Sequence, residues 1–190
     1  LLEAGVFRGK SLLSVAIYLK KIKSKKKIYA FDTWAGFPKN LKTNYYDKKE
    51  RWKDLLKQKI ISKKHYDEVI KNRKYTAFNK KLNMNKLTSF NLSSSGDFKG
   101  CSIKDIKRKI KFLKLNNIIL VKGPFNNTMN EKKFKKLKIF SAIIDSDLYD
   151  SYRVALPFIW KRLEEKGIIF LDEYYSLKFP GARIACNNFF

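Results

Sequence analysis

Two short stretches constrain this chain more than any other feature. Residues 140–150 read FSAIIDSDLYD and residues 167–174 read GIIFLDEY. In each, a short apolar run ends abruptly in two acids: Asp145 and Asp147 in the first, Asp172 and Glu173 in the second. A short apolar run bounded by sharp polarity reads as a strand buried on both faces, as in a parallel sheet. Acids released at the C-terminal ends of such strands lie where open α/β sheets bind ligands. If the two strands are neighbours, three or four carboxylates converge at one sheet edge. Like charges at that range repel, so the cluster invites a cation or protons.

The rest of the chain reads as scaffold and second site for this cluster. Residues 1–4 are an apolar strand that runs into Gly5, Val6, Gly9 and Ser11, and an apolar helix follows over 11–19. Strand, glycine turn and helix make the first half of a nucleotide-binding βαβ unit, although glycine turns also have ordinary structural uses. The helix N-terminus offers free N–H groups to a ligand. The basic run at 20–27 reads as a solvated connection. A second strand over 28–31 ends at Asp32, where such folds bind ribose hydroxyls. Residues 33–38 form a loop.

Residues 41–100 lack strand alternation and read as an inserted lid, with polar helices over 44–59 and 63–72 and the single histidine, His65. Ile103, Ile106, Ile110 and Leu113 share one face of a helix over 102–115, with Ser102 as N-cap and Asp105 in the capping-box position. A third strand over 118–121 precedes Gly123-Pro124, and a short basic helix is expected over 132–138. A helix over 150–166 joins the two acidic strands, with Pro157 marking a kink or a late start. A last helix begins at Pro180. The order predicts one α/β domain over 1–190: a mostly parallel, doubly wound sheet with helices on both faces. The chain starts at Leu1 without Met and stops inside a helix, so a fragment cut at both ends is expected.

Composition bounds the function classes. The net charge is +26, which suggests polyanion binding. Yet only seven of the 43 basic residues are Arg and the Lys is spread over nearly the whole chain, as in translation of an AT-rich genome. Arg is the better reader of phosphates and bases, so we read the charge as composition and nucleic acid as an unlikely partner. No apolar run approaches the ~20 residues of a membrane span, and no signal peptide is visible. Cys101 and Cys186 lie far apart without metal-ligand spacing, so free thiols in a cytoplasmic protein are expected rather than a zinc site. Homo-oligomerisation stays open.

The ordered motifs Glu3-x-Gly5-Val6-x-x-Gly9-x-Ser11, Asp32 to Pro38 (DTWAGFP), Gly123-Pro124, Asp145 to Ser151 (DSDLYDS) and Asp172 to Tyr174 (DEY) resemble the metal-dependent, S-adenosylmethionine-dependent O-methyltransferases. Among them the set is most similar to the macrocin O-methyltransferase (TylF/MycF) family, over nearly the whole chain. The resemblance implies a Rossmann-like class I methyltransferase that uses Mg²⁺ and methylates a hydroxyl of a small molecule, a sugar moiety in this group. It implies that Glu3, Gly5, Val6 and Ser11 line the methionine part of the cofactor and that Asp32 takes its ribose. Gly123, Asp145 and Asp147 join that cofactor set, and Tyr149 lies near cofactor or substrate. Asp145, Asp172 and Glu173 form an all-oxygen ligand set suited to Mg²⁺.

The chain departs from the pattern at three places. Catechol and caffeoyl-CoA enzymes carry a Lys where Leu148 stands, and the macrocin group has DGD and DDY where this chain has DSD and DEY. The general base is therefore open, with Asp147 and His65 as candidates. Plainer roles compete: Glu3 as a satisfied buried acid, Ser11, Asp145, Asp147 and Asp172 as helix caps, Tyr149 as packing. A nucleic-acid methyltransferase, which would usually carry an N/D-P-P-Y/F-like loop, and a non-catalytic basic α/β binding module are the alternative functions.

Overall fold

The computed structural model describes residues 1–37, 45–93 and 97–190. Five strands, β1 (Leu2–Ala4), β2 (Ile28–Asp32), β3 (Ile118–Lys122), β4 (Ile139–Ile144) and β5 (Leu163–Leu171), form one sheet in the order β3-β2-β1-β4-β5. Every neighbouring pair is parallel. The chain winds outward from β1 to β3, then restarts at β4 on the other side of β1. The crevice between β1 and β4 is thus the topological switch point, where such sheets bind ligands.

The helices among the described residues are α1 (Lys10–Lys21), α2 (Arg51–Lys57), α3 (Lys63–Asn79), α4 (Ser89–Leu92), α5 (Ile103–Phe112), α6 (Phe125–Thr128), α7 (Tyr149–Trp160) and α8 (Pro180–Phe189). None is long and apolar enough to cross a membrane. Alternation along the strands sends side chains to two cores. Ile28 and Ala30 meet Leu12, Ala16 and Leu19 of α1 and Ile106 of α5 on one face. Leu2, Ala4, Phe31, Ala142 and Ile144 meet Tyr152, Ala155, Leu156 and Ile159 of α7 and Ala182, Ala185 and Cys186 of α8 on the other. Edge-to-face rings of Phe31, Phe134 and Phe158 close that second core. Both cysteines are free thiols.

Four sequence expectations need correction. The helix expected over 132–138 is a run of turns, because the Asn130 side chain accepts from the N–H groups of Lys132 and Lys133 and holds the backbone in a local loop. The helix expected to reach residue 166 stops at Trp160. Arg162 turns inward there and donates to the carbonyls of Phe134 and Phe158, and β5 starts at Leu163. Its polar stretch sits at a register shift, Ile139 pairing Leu163 and Ser141 pairing Ile168, which hid the strand's true start. Pro157 lies inside α7, so it marks no late start. In the lid, the first helix is only Arg51–Lys57 and the second runs on to Asn79; Pro38, Leu41 and Asn44 lie outside the described residues.

The lid packs through Trp52, Leu55, Ile61 and Val69 against Leu177 and Ile184. Arg183 of α8 donates to the Ile60 carbonyl at 2.9 Å. Asp47 reaches farther in: it is buried, and its Oδ1 accepts from the first N–H of α7, at Tyr149, at 3.0 Å. Gly181 is required at that junction, since a Cβ there would stand 1.9 Å from Asp47 Oδ1.

Candidate active site

The site is built from strand ends. Glu3 occupies the middle of β1, opposite Ala30 of β2 and Ile143 of β4. It is 3% exposed, and its Oε1 accepts from Ser11 Oγ at 2.5 Å. Ser11 therefore does not cap α1, whose N-cap is Gly9 in a left-handed conformation. Burial pushes the Glu3 carboxyl up to about 7 against that hydrogen bond, and the nearby Asp145 and Asp32 add to the rise. The turn after β1 passes directly beneath β4. Gly5 has φ +91°, and a Cβ there would lie 1.7 Å from the Asp145 carbonyl oxygen, so only glycine lets the turn through.

Asp32 ends β2 and organises the same turn. Its Oδ2 accepts from the backbone N–H of Val6 at 2.7 Å and Phe7 at 2.8 Å, and its Oδ1 accepts from Trp34 at 2.6 Å. A carboxylate has about four lone-pair sites, so one place remains for a ribose hydroxyl. Gly123, expected near the cofactor, follows β3, and its N–H donates to the Asp32 carbonyl at 2.9 Å. The glycine turn and the ends of β2 and β3 are thereby locked together.

The second half of the site gathers the carboxylates. One oxygen each from Asp145, Asp172 and Glu173 lies within 4.8 Å of the others. Neither Asp145 nor Asp172 caps a helix. The N-cap of α7 is Leu148, without a side-chain cap, and its first N–H goes to Asp47. The short 3₁₀ turn Asp172–Tyr175 likewise has no side-chain cap. Asp147 does not cap α7 either. It sits at φ 62° beside the cluster, and burial with the charges of Asp145, Asp172 and Asp47 raises its pKa, which Lys178 opposes.

Glu173 is 3% exposed and is pushed up to about 10 by burial first and by Asp147 next. The local hydrogen bonds agree with a neutral carboxyl. Tyr152 Oη lies 2.7 Å from the Ile144 carbonyl and also within hydrogen-bond range of Glu173 Oε2, and it accepts from Glu173 N. A phenol has one proton. When it goes to Ile144, Glu173 must supply its own proton to Tyr152. Asp145 and Asp172 are exposed at the rim; partial desolvation and then the charge of Asp172 raise Asp145, which shares a hydrogen bond with Glu173.

This donor set fits a hard divalent cation. It is all oxygen, and ligands at 2.0–2.1 Å around Mg²⁺ stand no more than about 4.2 Å apart. The observed spread of 4.8 Å exceeds that by well under an ångström, within reach of a small side-chain adjustment. A cation would also offset the repulsion among these carboxylates, which adds to the rise that burial causes in Asp145 and Glu173.

His65 is placed apart. Its Nε2 lies 3.2 Å from the Ser176 carbonyl and its ring lies over Trp52, so it ties the lid to the loop after the acidic turn. Sequence reasoning missed Asp47, a single polar residue with no motif around it, and Tyr152, which lies one residue past the Asp145 to Ser151 motif. It also missed the stack of Tyr46 on Tyr149, centroids 4.0 Å apart, which carries the lid to the start of α7.

Known proteins were compared with this arrangement. The sequence profile of the family described as "Methyltransferase domain" matches residues 2–174. A search of curated proteins gives no match. Among solved structures, the O-methyltransferase NovP superposes with a TM-score of 0.66 at 16% identity, over 100% of this chain and 62% of NovP. The calicheamicin methyltransferase CalS11 superposes with a TM-score of 0.62 at 19% identity, over 99% of this chain and 62% of CalS11. An apo form of CalS11, described as a TDP-rhamnose 3′-O-methyltransferase, gives 0.52 at 19% identity, over 99% of this chain and 61% of that one. The chain thus spans about 62% of the length of the first two. At these identities the likeness shows the Rossmann-like methyltransferase fold. The profile match covers most of the sequence, and the chain belongs to the methyltransferase-domain family.

Proposed function

We propose that the chain is the core of an S-adenosylmethionine-dependent O-methyltransferase of the macrocin (TylF/MycF) type. Its acceptor is a sugar hydroxyl on a small glycoside or nucleotide sugar. The observation that carries this reading is the meeting of Asp145, Asp172 and Glu173 within 4.8 Å beside the glycine turn. The descriptions of NovP and CalS11 as O-methyltransferase and TDP-rhamnose 3′-O-methyltransferase support the acceptor class.

Glu3, Ser11 and the Gly5–Val6 backbone hold the methionine end of S-adenosylmethionine, and the free lone pair of Asp32 takes a ribose hydroxyl. Asp145, Asp172 and Glu173 hold a Mg²⁺ ion. When bound, the ion supplies a Lewis acid that lowers the pKa of the acceptor hydroxyl. Asp147, beside the ligands and free of any capping role, accepts the proton that the hydroxyl loses as it takes the methyl group. The lid, anchored by Asp47 and the Tyr46–Tyr149 stack, excludes water from the transfer. Methyl transfer from labelled S-adenosylmethionine to a panel of nucleotide sugars and glycosides, with Mg²⁺ and with EDTA, tests the reading. Transfer that needs Mg²⁺ and vanishes in EDTA is expected; equal transfer in EDTA would reduce the acids to structure.

A further inference from the structure

An open concavity lies between α1 and α5. It is a cleft of about 530 Å³ lined by Arg8, Lys10, Leu13, Arg108, Lys109, Phe112 and Leu113. Its size is that of a ligand pocket, roughly 300–1,000 Å³. Its chemistry is split. Leu13, Phe112 and Leu113 give an apolar wall, and four cations give a positive rim. Phe112 is 84% exposed on a helix whose other large apolar residues turn toward the core.

Two of the seven arginines, Arg8 and Arg108, line this cleft. Arg8 Nε donates to the Gly100 carbonyl at 3.0 Å, and Lys109 Nζ donates to the Arg8 carbonyl at 2.9 Å, which fixes the rim. Arg108 bonds the Asp105 carboxylate with one terminal nitrogen, leaving its other donors outward.

We propose that this cleft binds a nucleoside phosphate, the base against Phe112 and the phosphates between Arg8 and Arg108. Paired guanidinium forks suit phosphate oxygens, and an exposed ring beside them suits a planar base. A bare phosphate would have no use for the apolar wall. None of the edge carboxylates lines the cleft, and the inference does not depend on the methyl-transfer reading.

The test is calorimetric titration of the whole chain with ADP near physiological salt, with S-adenosylhomocysteine saturating so that ADP cannot enter the proposed cofactor site. Binding is expected to persist in its presence. Arg108→Ala should weaken it about tenfold, Phe112→Ala about fivefold or more, and Arg8→Lys, which keeps charge but loses the fork, should weaken it measurably. Lys132→Ala with Lys135→Ala, removing charge elsewhere, should leave it unchanged. Arg108 and Phe112 are surface residues, so these variants keep the fold. No ADP binding would overturn the proposal, as would equal losses in the control variant or equally tight binding of inorganic phosphate. Tighter binding of a single-stranded oligonucleotide through the same residues would replace the nucleotide with nucleic acid. If S-adenosylhomocysteine itself fails to bind, the methyl-transfer reading falls while the ADP result stands.

Discussion

On the outer surface of this molecule an acid sits beside a base; at the C-terminal edge of the sheet an acid sits beside an acid. Asp67 pairs with Lys63, Asp105 with Arg108, Asp54 with Arg51 and Glu131 with Lys161. Hydrogen bonds from Lys161 and Lys99 hold Glu131 and Asp97 below the usual carboxylate range. Glu3, Asp145, Asp147 and Glu173 shift the opposite way, driven first by burial and then by one another. With 43 basic residues against 17 acids, an acid in this chain has cations in excess to pair with. Among the described residues, Lys178, acting on Asp147, is the cation that opposes the rise of those four edge groups. The proposed cation site accounts for an edge that gathers its carboxylates in so basic a chain.

The comparison can be broken most forcefully by pH. Glu3, Asp147 and Glu173 have folded pKa values of about 7, 8 and 10, above their ordinary 4.5, 3.8 and 4.5. As pH rises the unfolded chain ionises first. The contribution of these groups to stability is therefore full below their ordinary values and is lost as pH climbs through 7 toward 10. In EDTA the melting temperature should fall steadily from pH 5 to pH 9, by the equivalent of several kcal/mol. A flat profile would mean that the edge acids are solvated like the surface ones.

Next in size is catalysis. Asp145→Asn or Asp172→Asn should lower methyl transfer about 100-fold or more, the scale for losing one electrostatic partner of a developing charge. Binding of S-adenosylmethionine should stay largely intact, and Glu173→Asp should be tolerated. Asp32→Asn should weaken S-adenosylmethionine by about 1.5–3 kcal/mol, as for lost hydrogen bonds to a charged group, measured by calorimetry. Smallest is the surface: Asp67→Ala should change unfolding free energy by about 0.5 kcal/mol or less, since exposed i,i+4 pairs contribute little.

Much of this was legible in the sequence because the site is made at strand ends. The runs before Asp32, Asp145 and Asp172 are short, apolar and bounded, so strand and acid could be read together. The parallel sheet and the convergence of Asp145, Asp172 and Glu173 followed from that pattern. What escaped lacks local periodicity. The start of β5 is hidden in the polar stretch 163–166, which becomes a strand only because Arg162 is buried against carbonyls and the register shifts. Asp47 gives no signal in a lysine-rich lid, and its role exists only because α7 and Gly181 come to it from more than 100 residues away. Asp147 read equally well as a helix cap; Asp47 took that role.

The central claim is that the carboxylate edge is a divalent-cation site beside a cofactor site. Thermal unfolding with S-adenosylmethionine, with and without MgCl₂, at pH 6 and pH 8, tests it most directly in the wild-type chain and Asp145→Asn. S-adenosylmethionine should stabilise both proteins. Mg²⁺ should add stability to the wild type alone, and more at pH 8 than at pH 6, because the ligands must lose protons to bind it. Mg²⁺ that leaves the wild type unmoved at both pH values, or that stabilises Asp145→Asn equally, would contradict it.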